Sequence, residues 1–156
     1  MKKLILLLIS HGAIFAIGFG LGIYLLPILT APPAPDAAEL QAQAAGAVFE
    51  AEFTRDLEDS DFAHWGEGQV SLTETQIVHM GKLSPGPDFY AYLMPSFVET
   101  KAGFEAIKDQ SVRLGMVKSF SGFVLDIPEG VDINAYNTVL IWCEAFGVFI
   151  TAAQYR

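Results

Sequence analysis

The sequence predicts an all-β fold, an antiparallel β-sandwich or small barrel of about seven or eight strands, preceded by one transmembrane helix and a short Ala-rich helix. Three observations carry this. The chain opens on a long uncharged apolar run, a Pro/Ala-rich segment follows, and from Ala47 onward short segments of period-two hydrophobicity alternate with turn-forming clusters. The domain boundaries that follow are 1–30 for an N-terminal transmembrane signal anchor, 31–45 for a linker with a short helix, and 46–156 for a β-domain.

Between Leu4 and Thr30 there is no Asp, Glu, Lys or Arg, and 19 of the 27 residues are apolar. As a helix this run spans about 40 Å, more than the roughly 30 Å hydrocarbon core of a bilayer. It is also nearly twice the apolar core of a cleavable signal peptide, about 7 to 15 residues. The cleavage-like stretch Leu29-Thr30-Ala31 is followed by Pro32, and no Cys follows it for lipid attachment, so the segment reads as an uncleaved anchor. Lys2 and Lys3 precede it and the next base is Arg55, which orients the N-terminus to the cytoplasm. Everything after Thr30 is then extracytoplasmic: in a Gram-negative cell, a periplasmic domain on the inner (cytoplasmic) membrane. Gly18 and Gly22 form a GxxxG pair suited to helix packing, which implies a membrane-protein partner or a homodimer through the anchor. His11 lies near the cytoplasmic end of the span, either neutral there or facing a partner helix.

Ala31 to Pro35 reads as an extended spacer, because consecutive prolines cannot continue a helix. Asp36 followed by Glu39 fits a capping box for a helix over Ala37 to Ala45, stopped by Gly46. The strands follow. Ala47, Phe49, Ala51 and Phe53 alternate with Val48, Glu50, Glu52 and Thr54. Further strands are predicted over 68–72, 75–80, 89–94, 112–117, 122–127, 138–142 and 146–152, separated by turn clusters such as Ser84 to Asp88, Pro128 to Gly130 and Asp132 to Asn134. In the Ser84 to Asp88 turn, the Asp88 carboxylate is expected to bond to nearby backbone. A helical turn or two fits residues 99–108.

Charge narrows the function. The whole chain carries 18 acids against 9 bases, a net charge of -9. Residues 31–156 hold all 18 acids and seven of the bases, a net charge of -11. Such a domain is not a nucleic-acid binder, since phosphate contacts need clustered Lys and Arg. The single apolar span excludes a polytopic transporter and a soluble cytoplasmic protein. Gly-x-Ser-x-Gly, His-Glu-x-x-His and Walker sequences are all missing, so no hydrolase, metalloprotease or nucleotide site is indicated.

Three segments carry a family resemblance. They are Gly86-Pro87-Asp88-Phe89-Tyr90-Ala91-Tyr92-Leu93, then Ile127-Pro128 and Asp132 leading into Tyr136-Asn137-Thr138-Val139-Leu140-Ile141-Trp142-Cys143, and the ending through Phe146, Phe149-Ile150 and Ala152. With Ala63-His64 just before Gly66 and Gly68, they resemble the electron transfer DM13 domain family, in its single-pass, membrane-anchored bacterial form. The resemblance covers about residues 46–156 and departs from the usual pattern at 113–118, which lacks a fuller Gly/Asn-rich turn. It implies an all-β redox domain whose characteristic Cys serves as a free thiol or as a ligand to a prosthetic group.

Cys143 is the sole cysteine, so no intrachain disulfide can form. On a strand it shares a face with Ile141 and Ala145, opposite Trp142 and Glu144. It is a buried small hydrophobe, a redox thiol or a ligand. The neighbouring Glu144 and the net negative charge oppose a thiolate, whereas coordination to a metal would itself remove the proton. The soft or imidazole donors available beside it are His64, His79, Met80, Met94 and Met116, and the resemblance selects His64 with Cys143 as the cofactor-binding pair. Non-covalent haem, copper and no bound group stay open, covalent haem being excluded by the lack of Cys-x-x-Cys-His. Two functions follow: a membrane-tethered extracytoplasmic electron-transfer domain acting through Cys143, or a non-catalytic binding or assembly module, an accessory subunit of a larger membrane complex.

Overall fold

Eight antiparallel strands make two four-stranded sheets in the computed structural model, which describes residues 1–156. They are β1 (Phe49–Phe53), β2 (Gly66–Leu72), β3 (Gln76–Leu83), β4 (Phe89–Met94), β5 (Val112–Val117), β6 (Phe123–Asp126), β7 (Thr138–Cys143) and β8 (Val148–Gln154). One sheet has the order β1-β2-β3-β6 and the other β5-β4-β7-β8. The sheets come together at both edges, β1 beside β8 and β5 beside β6, but no strand ladder joins them. The domain is a sandwich, not a closed barrel.

Three helices join the strands: α1 (Lys2–Thr30), α2 (Ala37–Ala44) and α3 (Lys101–Ile107), the last running into a 3-10 turn at Lys108–Gln110. The chain is therefore a mixed helix-and-sandwich protein and not strictly all-β. The physical reason is that both sheets carry apolar residues on their outer faces as well as their inner ones. Val78 points away from its core-facing neighbour Ile77, yet both are fully buried; α2 lies across β3 and β6 and buries Leu40 there. On the second sheet α3 inserts Phe104, whose ring stands 5.0 Å from Tyr92 and 4.7 Å from Trp142.

Local sequence explains the helix ends. Asp36 caps α2 by accepting the Glu39 N–H at 2.7 Å, and Thr100 caps α3 by accepting the Gly103 N–H at 3.1 Å. Helix α1 is long and apolar enough to cross a membrane. It stops where Ala31 turns extended (φ -59°, ψ 135°) ahead of the prolines. His11 is satisfied within α1 through a 2.8 Å contact between Nδ1 and the Leu7 carbonyl.

The main core lies between the sheets and includes Phe53, Leu72, Ile77, Leu93, Ile141 and Ile150. A buried histidine sits in it. His79 packs between Phe53 and Phe123, with ring centroids 5.2 Å and 5.0 Å away, and its Nε2–H donates to the Glu67 carbonyl at 3.0 Å. The paired residues Gly68 and Gly81 make room for this bond. Gly68 has φ +109°, and a Cβ on Gly81 would collide with the Glu67 carbonyl. The other ring nitrogen, Nδ1, is buried without a partner.

The period-two reading places every strand but misplaces some ends. The last strand starts at Val148, not at Phe146, because the Gly147 N–H closes a turn onto the Cys143 carbonyl at 2.9 Å and Gly147 takes φ +58°. Phe146 is thereby left in the hairpin loop, about half exposed.

Burial lowers the pKa of His79 to about 4, with the Glu67 carbonyl bond acting weakly the other way. The unfolded imidazole takes its proton near pH 6.5, the folded one only near 4. Stability is therefore complete above the unfolded value and falls as pH drops through that window, by about 2 kcal/mol at pH 5. Urea melts at pH 7.5 and pH 5 should show this loss. His79→Gln, which keeps a donor for Glu67 but cannot titrate, should remove most of it.

Candidate functional site

Cys143 is the last residue of β7, with both neighbouring strands holding its register: Phe89 of β4 on one side and Val148 of β8 on the other. Strand alternation places it on the core face with Ile141 and Val139, while Leu140 and Trp142 face α3. Its thiol is 1% exposed and donates to the Pro87 carbonyl at 3.1 Å. Burial pushes the thiol pKa up. The backbone N–H groups of Phe146 and Ala145 oppose that, and the charges of Asp88 and Glu144 add to it. The result is a neutral thiol.

Pro87 is positioned by the Ser84 to Asp88 turn. Asp88 takes φ +58°, and its backbone carbonyl accepts the Glu144 N–H at 3.0 Å. The residue works through its main chain, because the left-handed turn directs that carbonyl onto the β7–β8 hairpin; the carboxylate bond expected from the sequence is not made. The ring of Phe89 lies so close to Gly86 that a Cβ there would touch it at 2.6 Å.

His64 arrives from the loop between β1 and β2, organised by Asp61. One carboxylate oxygen accepts the Ala63 and His64 N–H groups at 2.7 Å and 2.8 Å, and the other meets His64 Nδ1 at 3.0 Å. Slight desolvation works against the carboxylate, but the ring and backbone bonds hold Asp61 below its usual range. Since a carboxylate only accepts, Nδ1 carries the proton and Nε2 of the neutral ring is left as an acceptor.

These two residues, 79 positions apart, line one cavity of about 160 Å³. Its walls are mostly apolar: Phe89, Phe146, Val148 and Ile150 from the domain, Ile23 and Tyr24 from α1. His64 and Cys143 share this space without bonding each other. The other sequence-selected donors stay away from it. His79 is in the core, Met94 is buried under α3, and Met80 and Met116 lie outside the cavity lining. No group of three or more His, Cys, Asp or Glu side chains converges to hold a metal ion. Two donors, each engaged elsewhere, do not make a copper site, which ordinarily uses two His and a Cys. The volume of this half-open cleft suits one ring, since an apolar cavity of about 150 Å³ holds benzene.

A second cluster escaped the sequence reading. Glu144 accepts from Lys108 Nζ at 2.8 Å and 3.0 Å and from the Tyr92 hydroxyl. Lys108 Nζ also stands 5.5 Å to 5.7 Å from the rings of Tyr92, Phe104 and Trp142. Desolvation opposes charge on Glu144, but the Lys108 and Tyr92 bonds keep its carboxyl below the usual range, while burial and Glu144 push the Tyr92 phenol up. The pairing draws the Glu144 side chain to the outer face of the sheet, away from the thiol. Its partners lie 36 and 52 positions away, and the one hint in the sequence is that Tyr92 and Glu144 both fall on the face opposite Cys143. In α1, Gly18 and Gly22 have no atom within 4 Å of an added Cβ, as is also true of Gly12 and Gly20.

A buried neutral thiol reacts slowly. Alkylation of Cys143 in the folded protein by iodoacetamide at pH 8 should run at least about tenfold slower than that of glutathione and rise to the glutathione rate only in denaturant.

Neither a curated protein nor a solved structure shows a significant match to the chain. The profile of the family described as Electron transfer DM13 matches residues 53–155, from the end of β1 to the residue after β8. With about two thirds of its length accounted for in this way, the chain belongs to the electron transfer DM13 family.

Proposed function

We propose that the protein is a membrane-tethered, extracytoplasmic redox module of the electron-transfer type, anchored by α1 in the cytoplasmic membrane with its N-terminus inside, and that the redox chemistry takes place at the Cys143–His64 cavity. One observation carries this reading. In a domain of an electron-transfer family, the single thiol and an Asp-paired imidazole are brought to the wall of the same small apolar cavity. The thiol is neutral and the imidazole offers an acceptor nitrogen, so the cavity suits a small redox-active molecule whose proton changes accompany its electron changes. Cys143 forms part of its wall and His64 is its proton acceptor.

The test is spectroelectrochemistry on the full-length protein isolated with its native lipids. A reversible redox transition is expected in the wild type, lost or shifted in His64→Phe and Cys143→Ser. A wild-type protein that is redox-silent, with Cys143→Ser changing only its melting temperature, would sink the reading.

A second reading, a non-catalytic assembly module, draws on the Gly18–Gly22 spacing in α1. Cross-linking in native membranes should then trap a dimer or a membrane partner that is lost in the Gly18→Leu, Gly22→Leu double variant. An unchanged pattern leaves α1 as a tether alone.

A further inference from the structure

We propose that the Cys143–His64 cavity opens at the bilayer surface and takes the ring of a membrane-resident quinol, with His64 Nε2 accepting its hydroxyl and its prenyl tail remaining in the lipid. The site rests on the anchored reading above and adds to it the class of ligand and the route by which it enters.

The position of the cavity is the first ground. Leu4 to Ile23 is 20 residues, a helix of about 30 Å and so about one hydrocarbon thickness. Tyr24 then falls at the headgroup level, where tyrosines concentrate, and Ile23 and Tyr24 are the two α1 residues in the cavity wall. Only the residues 31–36 separate α1 from α2, less than about 20 Å even when fully extended as polyproline. Residues 24–30 add about 10 Å of helix, so the domain stays within about 30 Å of the headgroup level.

The exposed surface agrees. Of the four large apolar side chains exposed in the β-domain, Phe62, Phe146 and Met116, exposed by 95%, 53% and 40%, gather at the α1 end, while Val48, exposed by 53%, lies beside Leu72 at the β2–β3 turn. Phe146 lines the cavity with α1, Phe62 precedes the cavity residue Ala63, and Met116 lies beside Leu26 and Pro27 of α1. Three exposed apolar groups at the α1 end of a strongly acidic domain suit contact with lipid. Lys82 and Lys118 flank Pro32 of the linker at the same end, placed to meet headgroup phosphates.

The interior selects the ligand. A volume near that of a benzene-binding cavity takes a single ring. Aromatic and branched walls exclude a charged group, while the acceptor at His64 Nε2, fixed by the Asp61 bond on Nδ1, favours a ring that donates a hydroxyl. An acyl chain fits the walls but offers that nitrogen no donor.

The experiment uses full-length protein in nanodiscs of phosphatidylethanolamine and phosphatidylglycerol, with a photoreactive azido-benzoquinol bearing a ten-carbon tail. Peptides containing residues 62–65, 85–89 or 143–150 should be labelled, competed by the unlabelled quinol, and labelled about tenfold less in Val148→Trp, which blocks the mouth. His64→Phe keeps the shape and removes the acceptor, so quinol competition should weaken about tenfold while that of the dimethyl ether is unchanged. Labelling confined to α1, labelling unaffected in a folded Val148→Trp, or equal labelling by a ten-carbon alkyl azide would each overturn the quinol site. A redox transition without cavity labelling overturns the quinol site and leaves the redox reading standing. Cavity labelling in a redox-silent protein supports the site and sinks the redox reading instead.

Discussion

Strand β7 is buried on both faces, and the placement of Cys143 and Glu144 follows from that. All six of its residues are inaccessible, with Val139, Ile141 and Cys143 in the main core and Leu140 and Trp142 among the aromatics under α3. A one-residue slip would exchange the two sets, putting Trp142 between the sheets and Cys143 beneath Phe104. Neither cavity tolerates the exchange: an indole overfills the space left by a thiol, and a thiol leaves a void where an indole was. Costs of that kind run to several kcal/mol. Because β4 and β8 pair with β7 along its length, this register also sets where Pro87 meets the thiol and where Glu144 meets Lys108.

The helices exist because of the same two-sided burial. A sandwich needs only its inner faces covered by itself, so the apolar outer positions on β3, β4 and β7 demand separate cover. Helix α2 meets that need with Leu40, and α3 meets it with Phe104. Covering the outer face of the second sheet also brings Lys108 to Glu144, since the 3-10 turn carrying Lys108 continues directly from α3. The Glu144 carboxylate is thereby held on the α3 side of the sheet. For the thiol on the opposite face burial is the main influence, with the charges of Asp88 and Glu144 still adding to its upward push.

What could be read in the sequence was whatever depends on near neighbours. Period-two alternation located all eight strands, and Asp36 announced α2 through a bond only three residues long. What could not be read was whatever depends on pairing between distant segments. The sheet order places β6 beside β3 and β5 beside β4, an exchange of sheets that no local pattern encodes. Phe146 fits the alternation of a strand equally well, and only the left-handed Gly147 behind it, closing onto Cys143, shows that it belongs to a loop. That His64 and Cys143 line one cavity could not be read locally, since a histidine in an Asp61-ordered loop carries no sign of which strand end it will approach.

The cavity's polarity constrains what such a site can do with electrons. Against an apolar wall, moving an electron without its proton leaves a poorly solvated charge, which is costly. Coupling the two movements avoids that cost, provided an acceptor is already in place. Under the proposed reading His64 would be that acceptor, its Nδ1 held by Asp61, while the neutral thiol of Cys143 adds no charge of its own. A site arranged in this way favours steps that move a proton and an electron together, and disfavours bare charge at the thiol. Two of the domain's acids are neutralised by close partners: Glu144 is tied to Lys108 on the far face, and Glu67 is paired with Arg55 at 2.7 Å.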